Sequence, residues 1–118
     1  MATKELTASN FTEVATGDGI VIVDFWAAWC APCVRFAPVY ERVSERHTDI
    51  VFGKVDTEAE VELAREFDIS SIPTIMAIRD GVIVFSQPGA LPEQAVESLI
   101  EKVRELDMDE VKKAAQAA

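Results

Sequence analysis

The chain holds two cysteines, one histidine and few basic residues, and each scarcity removes a class of function. Zinc needs four ligands, and the lone His47 cannot complete a set with Cys30 and Cys33. Lysine and arginine total 11 against 21 acidic residues, for a net charge of −10. Phosphate backbones demand a basic face, so direct nucleic-acid binding is not expected. No apolar run approaches the length of a membrane-spanning helix. Met1 to Asn10 has no apolar stretch with basic flanks, so no secretory signal is expected and a soluble cytoplasmic protein is the expectation. Repeats, low-complexity runs and internal linkers are also missing. What remains, 118 residues of which 49% are hydrophobic, suits one domain with a substantial core.

The order of patterns points to an α/β chain. Thr7 is placed to cap a short helix carrying Phe11 and Val14, closed by Gly17-Asp18-Gly19. Ile20-Val21-Ile22-Val23 runs into Asp24-Phe25-Trp26, an apolar stretch typical of a strand buried on both faces. A helix is predicted from Cys33 to about Arg46, with Phe36, Val39, Tyr40 and Val43 on one face and Pro38 inside it. Ile50–Val55 reads as a strand, and Thr57 with Glu60 as a capping box for a helix ending near Phe67. Thr74–Arg79 and Val82–Ser86 flank Asp80-Gly81, a hairpin signal. A last helix is predicted from about Pro92, with Val96, Leu99, Ile100, Val103 and Leu106 as its apolar stripe. The result is a three-layer α/β/α fold on a central mixed sheet, parallel in its first half and antiparallel at its hairpin. Residues 1–106 form the domain, and 107–118 an acidic, alanine-rich tail expected to fray in solvent.

Trp29-Cys30-Ala31-Pro32-Cys33 carries the chemistry. The two cysteines stand three positions apart where a strand gives way to a helix, which puts both sulfurs on one face within bonding reach. The first sulfur faces the free N–H groups and positive dipole end of the helix, which favour its thiolate. Thiolate attacks disulfides, so Cys30 is the expected nucleophile, more exposed and more acidic than Cys33. A fixed structural disulfide or half of a metal site is the alternative. Pro32 fits the first helical turn because its missing N–H costs nothing there. Asp24 interrupts an apolar strand, and burial should raise its pKa.

Asp24-Phe25-Trp26-Ala27-Ala28-Trp29-Cys30-Ala31-Pro32-Cys33, with Pro38, Lys54-Val55-Asp56, Ile72-Pro73-Thr74, the Asp80-Gly81 turn and Gly89-Ala90, closely resembles the thioredoxin family over residues 5 to 106. The resemblance implies the thioredoxin fold and a dithiol–disulfide exchange in which Cys30 attacks and Cys33 resolves. It implies Asp24 beneath Cys33 as the proton-transfer group, with Lys54 as its charge partner. It also implies a cis peptide bond at Pro73, with Ile72 offering its backbone to an extended substrate segment. Trp29, Ala31, Pro32, Ile72, Pro73, Gly89 and Ala90 would then form an apolar docking patch, over a Trp26 that packs as core.

Three residues depart from the family pattern. Ala31 replaces the usual glycine and stiffens the loop, Val34 stands where a basic or polar residue is common, and Pro88 precedes Gly89 in place of an aliphatic residue. The function implied is a protein-disulfide reductase, monomeric, with no bound cofactor. Its electrons would come from NADPH through a flavoprotein thioredoxin reductase, and its substrates would be diverse disulfide-containing proteins. An oxidase or isomerase of the same fold is the enzymatic alternative, and a redox-independent chaperone or scaffold subunit the non-enzymatic one.

Overall fold

The computed structural model describes residues 2–117, so Met1 and Ala118, which open the expected domain and close the expected tail, lie outside the described residues. Ten elements follow one another: β1 (Thr3–Glu5), α1 (Phe11–Ala15), β2 (Ile20–Trp26), α2 (Ala31–Arg46), β3 (Val51–Asp56), α3 (Val61–Glu66), β4 (Thr74–Arg79), β5 (Val82–Pro88), α4 (Glu93–Glu105) and α5 (Met108–Ala117). The strands form one sheet in the order β1-β3-β2-β4-β5. β1 and β2 both run parallel to β3, whereas β4 is antiparallel to β2 and to β5. This is the expected three-layer mixed fold.

Alternation along the strands sorts the core into two layers. Ile20, Ile22, Phe52, Ile75 and Ala77 meet Phe36, Tyr40 and Val43 of α2 and Val96, Leu99, Ile100 and Val103 of α4. Val21, Val23, Phe25, Val55, Met76 and Ile78 meet Phe11 and Leu63, from α1 and α3, on the other face. On the solvent side α2 and α4 are tied by Arg42 and Arg46 to Glu93, and by Arg46 and His47 to Glu97. Arg79 Nη1 donates to the carbonyls of Val103, Arg104 and Leu106 at 2.7–3.1 Å, placing a cation at the negative end of α4. The hairpin turn holds Asp80 at φ 51° and Gly81 at φ 81°, the left-handed pair a tight two-residue turn requires.

Several boundaries differ from expectation, each for a local reason. β1 was not expected, since Thr3-Lys4-Glu5 shows no apolar alternation. Its backbone pairs with Phe52, Gly53 and Lys54, and the next residue, Leu6, fills the space a Cβ at Gly53 would occupy. Thr7 does not cap α1 with its side chain; its N–H is instead bonded by Asn10 Oδ1 at 2.7 Å. The Thr57–Glu60 capping box does not form. Thr57 Oγ1 donates to Trp26 O at 3.0 Å, Glu60 accepts from Ala8 N at 2.8 Å, and Asp56 Oδ1 takes the N–H of Glu58 instead. Pro92 is the residue before α4 rather than its first. The segment after Leu106 is a helix, not a frayed coil: Asp107 Oδ1 accepts from Asp109 N and Glu110 N at its start.

Candidate active site

The helix that positions the cysteines starts two residues before Cys33. Cys30 is the N-cap of α2, in extended backbone at φ −86° and ψ 106°, with Ala31 and Pro32 in the first turn. Its carbonyl takes the N–H of Val34 at 3.0 Å, and its Sγ takes the N–H of Cys33 at 3.2 Å. A sulfur here replaces the side-chain oxygen of an ordinary cap, so the amide that steadies the helix end also stabilises negative charge on that sulfur. The two cysteines are bonded across a Cα separation of 5.2 Å. Exposure does not separate them as expected: Cys30 is 4% exposed and Cys33 2%. The distinction between them is position, since Cys30 lies at the helix head and Cys33 one turn inside.

A second segment closes over the pair. The Ile72–Pro73 peptide bond is cis, and Ile72 O lies 3.8 Å from Cys30 Sγ. Gly89 N donates to Pro73 O at 2.7 Å, fastening the end of β5 to this loop. Beside the sulfurs opens a groove of about 420 Å³ lined by Trp29, Cys30, Ala31, Pro32, Ile72 and the 57 and 69–71 segments. Trp29 stands 70% exposed, with its indole N–H on Glu58 Oε1 at 3.0 Å. The expected patch is therefore divided. Trp29, Ala31, Pro32 and Ile72 share the groove, Pro73 is buried, and the exposed Gly89 and Ala90 lie outside its wall. Val34 adds an exposed apolar side chain just past Cys33. Trp26 packs with Ala27, Cys30, Cys33 and Ile72 as core.

Asp24 is fully buried, and among the described residues neither carboxyl oxygen meets a hydrogen-bonding partner. Alternation along β2 sends it to the α2 face with Ile20 and Ile22, the face against which Tyr40 of α2 packs. Burial pushes its pKa up to about 7, against a smaller pull downward from Lys54. Lys54 is the register partner of Asp24 across β2 and β3. Its ammonium is not ion-paired with that carboxyl, however, and sits 4.7 Å above the Trp26 ring. Lys54 therefore bears on Asp24 as a charge acting through space, without a direct ion pair. Two contributors were not foreseen: Glu58, which orients Trp29, and the Tyr40 hydroxyl, whose only signal in sequence was a polar atom on an otherwise apolar helix stripe.

Among the described residues no group of three or more histidine, cysteine or acidic side chains is arranged to hold a metal ion. No described helix is long and apolar enough to cross a membrane. A sequence model of the family Thioredoxin matches residues 2–102. "Putative thioredoxin 2" of Streptomyces coelicolor is 58% identical over 113 residues, covering 96% of this chain and 84% of that protein. The thioredoxin of Alicyclobacillus acidocaldarius is 39% identical over 103 residues, covering 86% of this chain and 98% of its own. Among solved structures, Plasmodium falciparum thioredoxin superposes with a TM-score of 0.78 at 39% identity, over 85% of this chain and 98% of that one. With the cysteine pair at the head of α2, these matches make the chain a member of the thioredoxin family, thiol-disulfide oxidoreductases that reduce protein disulfides and carry no cofactor.

Proposed function

We propose that Cys30 is the attacking sulfur, Cys33 the resolving one and Asp24 the proton acceptor. In the dithiol form the Cys30 thiolate attacks one sulfur of a substrate disulfide, forming a mixed disulfide and releasing one substrate thiolate. Cys33 then gives its proton to the Asp24 carboxylate and attacks Cys30 Sγ, releasing the second substrate thiolate. Two electrons pass to the substrate, and the Cys30–Cys33 disulfide remains. The observation that supports this reading is Cys30 Sγ accepting the Cys33 amide at a helix head, beside a buried carboxyl on the α2 side of the sheet whose pKa burial raises to about 7. Lys54 acts through the field it exerts on Asp24 and steadies Trp26.

Substrates enter as extended segments along the groove, against Trp29, Ala31, Pro32 and the backbone of Ile72, with Pro73 setting that backbone's direction. Gly89 and Ala90 extend the contact on the far side of Pro73. The protein works as a monomeric electron carrier in the cytoplasm, re-reduced from NADPH by a flavoprotein thioredoxin reductase. Residues 1–106 are the catalytic domain and 107–118 a short acidic, alanine-rich tail, helical over Met108–Ala117. The test is adduct trapping. Cys33→Ser should accumulate mixed disulfides on Cys30, seen by mass spectrometry, and Cys30→Ser should abolish turnover. Trapping on Cys33 in the Cys30→Ser chain would reverse the assignment.

A further inference from the structure

Tyr40 lies on α2 seven residues, two turns, past Cys33, and is fully buried. Its ring packs against Phe36 at 5.7 Å and Phe52 at 5.5 Å between centroids, contacts that a phenylalanine would make equally well. The hydroxyl is what requires explanation. It lies 3.0 Å from Ile22 O and 2.8 Å from Gly53 O, and donates its single proton between them. Ile22 precedes Asp24 by two residues on β2, and Gly53 immediately precedes Lys54 on β3. In the ladder Val23 pairs with Gly53 and Asp24 with Lys54, so the hydroxyl spans the β2–β3 seam just below the rung that carries Asp24.

We propose that the Tyr40 hydroxyl is a positioning residue for Asp24, clamping β2 to β3 beneath the carboxyl and withholding from it a hydrogen-bond donor of its layer. This rests on reading Asp24 as the proton acceptor of Cys33, and adds a residue that acts through it. Two effects follow from the geometry. The closed seam keeps water from the underside of the carboxyl, and the phenol proton, committed to main-chain carbonyls, does not stabilise the carboxylate. Both favour the protonated acid.

The groups around Asp24 can be named element by element. β3 brings Lys54, which favours the ionised form. α2 brings Cys33 and Tyr40, with Glu41 bearing on Tyr40. β4 places Ile75 and Ala77 on this face, and α4 adds Val96 and Ile100, none of which titrates. Of these groups, Lys54 is the one that opposes protonation, and Tyr40 is the neighbour whose removal leaves charge and backbone unchanged.

The experiment is Tyr40→Phe in the full chain, with the Asp24 carboxyl followed by carbon-13 NMR across pH. Its midpoint should fall by about half a unit or more toward the ordinary carboxylate range, since added water favours the charged form. The pH midpoint of mixed-disulfide resolution should move with it. An unchanged Asp24 midpoint in a folded Tyr40→Phe chain would overturn the proposal. The NMR titration needs no turnover, so it stands apart from the proton-acceptor role, which unchanged kinetics of Asp24→Asn would remove on their own. Should Tyr40→Phe not fold, Tyr40→Phe/Asp24→Asn reads the clamp directly. Backbone amide exchange at residues 22–24 and 53–54 should be faster than in Asp24→Asn alone, and equal exchange would overturn the clamp.

Discussion

The two faces of β2 are built from the same seven residues and serve opposite ends. Val21, Val23 and Phe25 enter a mainly apolar layer, where α1 and α3 supply Phe11 and Leu63. Ile20, Ile22 and Asp24 enter the layer beneath α2, where a carboxyl with no hydrogen-bonding partner among the described residues and a bridging phenol are buried among apolar side chains. One face keeps to the packing rules, its buried polar residue Thr74 donating to Ser71 O, and contributes stability. The other departs from them at Asp24, whose buried carboxyl costs stability, and it is on this face that the proposed proton transfer would take place.

The contrast can be tested from its largest effect downward. Phe11→Ala, on the apolar face and packed in a tilted pair with Phe67 at 5.0 Å between centroids, should cost about 3–5 kcal/mol in denaturant unfolding while the folded fraction reduces disulfides normally. A smaller loss would mean that this layer is less essential than its packing indicates. Asp24→Asn should do the reverse. The folded pKa of about 7 lies above the unfolded value of 3.8, so the folded chain holds this proton longer as pH rises. Its stability is therefore lost as pH climbs from about 4 to about 7, by at most roughly 4 kcal/mol. Asp24→Asn should gain about 2–4 kcal/mol at pH 8, almost nothing at pH 3, and resolve mixed disulfides slowly with no midpoint near pH 7. Equal gain at both pH values would show that packing, not charge burial, sets the difference.

Two smaller changes sharpen the boundary between the layers. Gly53→Ala forces a methyl into Leu6 and should cost about 1–3 kcal/mol, loosening β1 more than the cysteine pair. Protease cleavage near residue 6 would report it. Arg46→Ala removes exposed ion pairs between α2 and α4 and should leave the melting temperature nearly unchanged, the more so in high salt. A large salt-dependent drop would place real stability on the surface instead.

Much of this was legible in the sequence where side chains dictate the backbone. The apolar run of β2, the Asp80-Gly81 turn and the stripe Val96, Leu99, Ile100, Val103 announce their elements, and the cysteine spacing announces the helix head. β1 was hidden because Thr3, Lys4 and Glu5 contribute almost only backbone hydrogen bonds, and Leu6 just past them packs into space that only a glycine at position 53 leaves open. The start of α3 misled because Thr57 and Glu60 have competing partners, Trp26 O and Ala8 N, that are distant in sequence. Within the site, residue types singled out Cys30, Cys33 and Asp24 as candidates. Whether Lys54 points at Asp24 or over Trp26, and what the Tyr40 hydroxyl meets, depends on how two strands and a helix come together. No local pattern encodes that.

The strand order has a consequence at the margins of the sheet. Its borders are β1, three residues long, and β5, which ends in Ser86-Gln87-Pro88, where the proline offers no N–H. Short or donor-poor borders are weak templates for another chain to continue the ladder, so copies of this protein have little to grow upon.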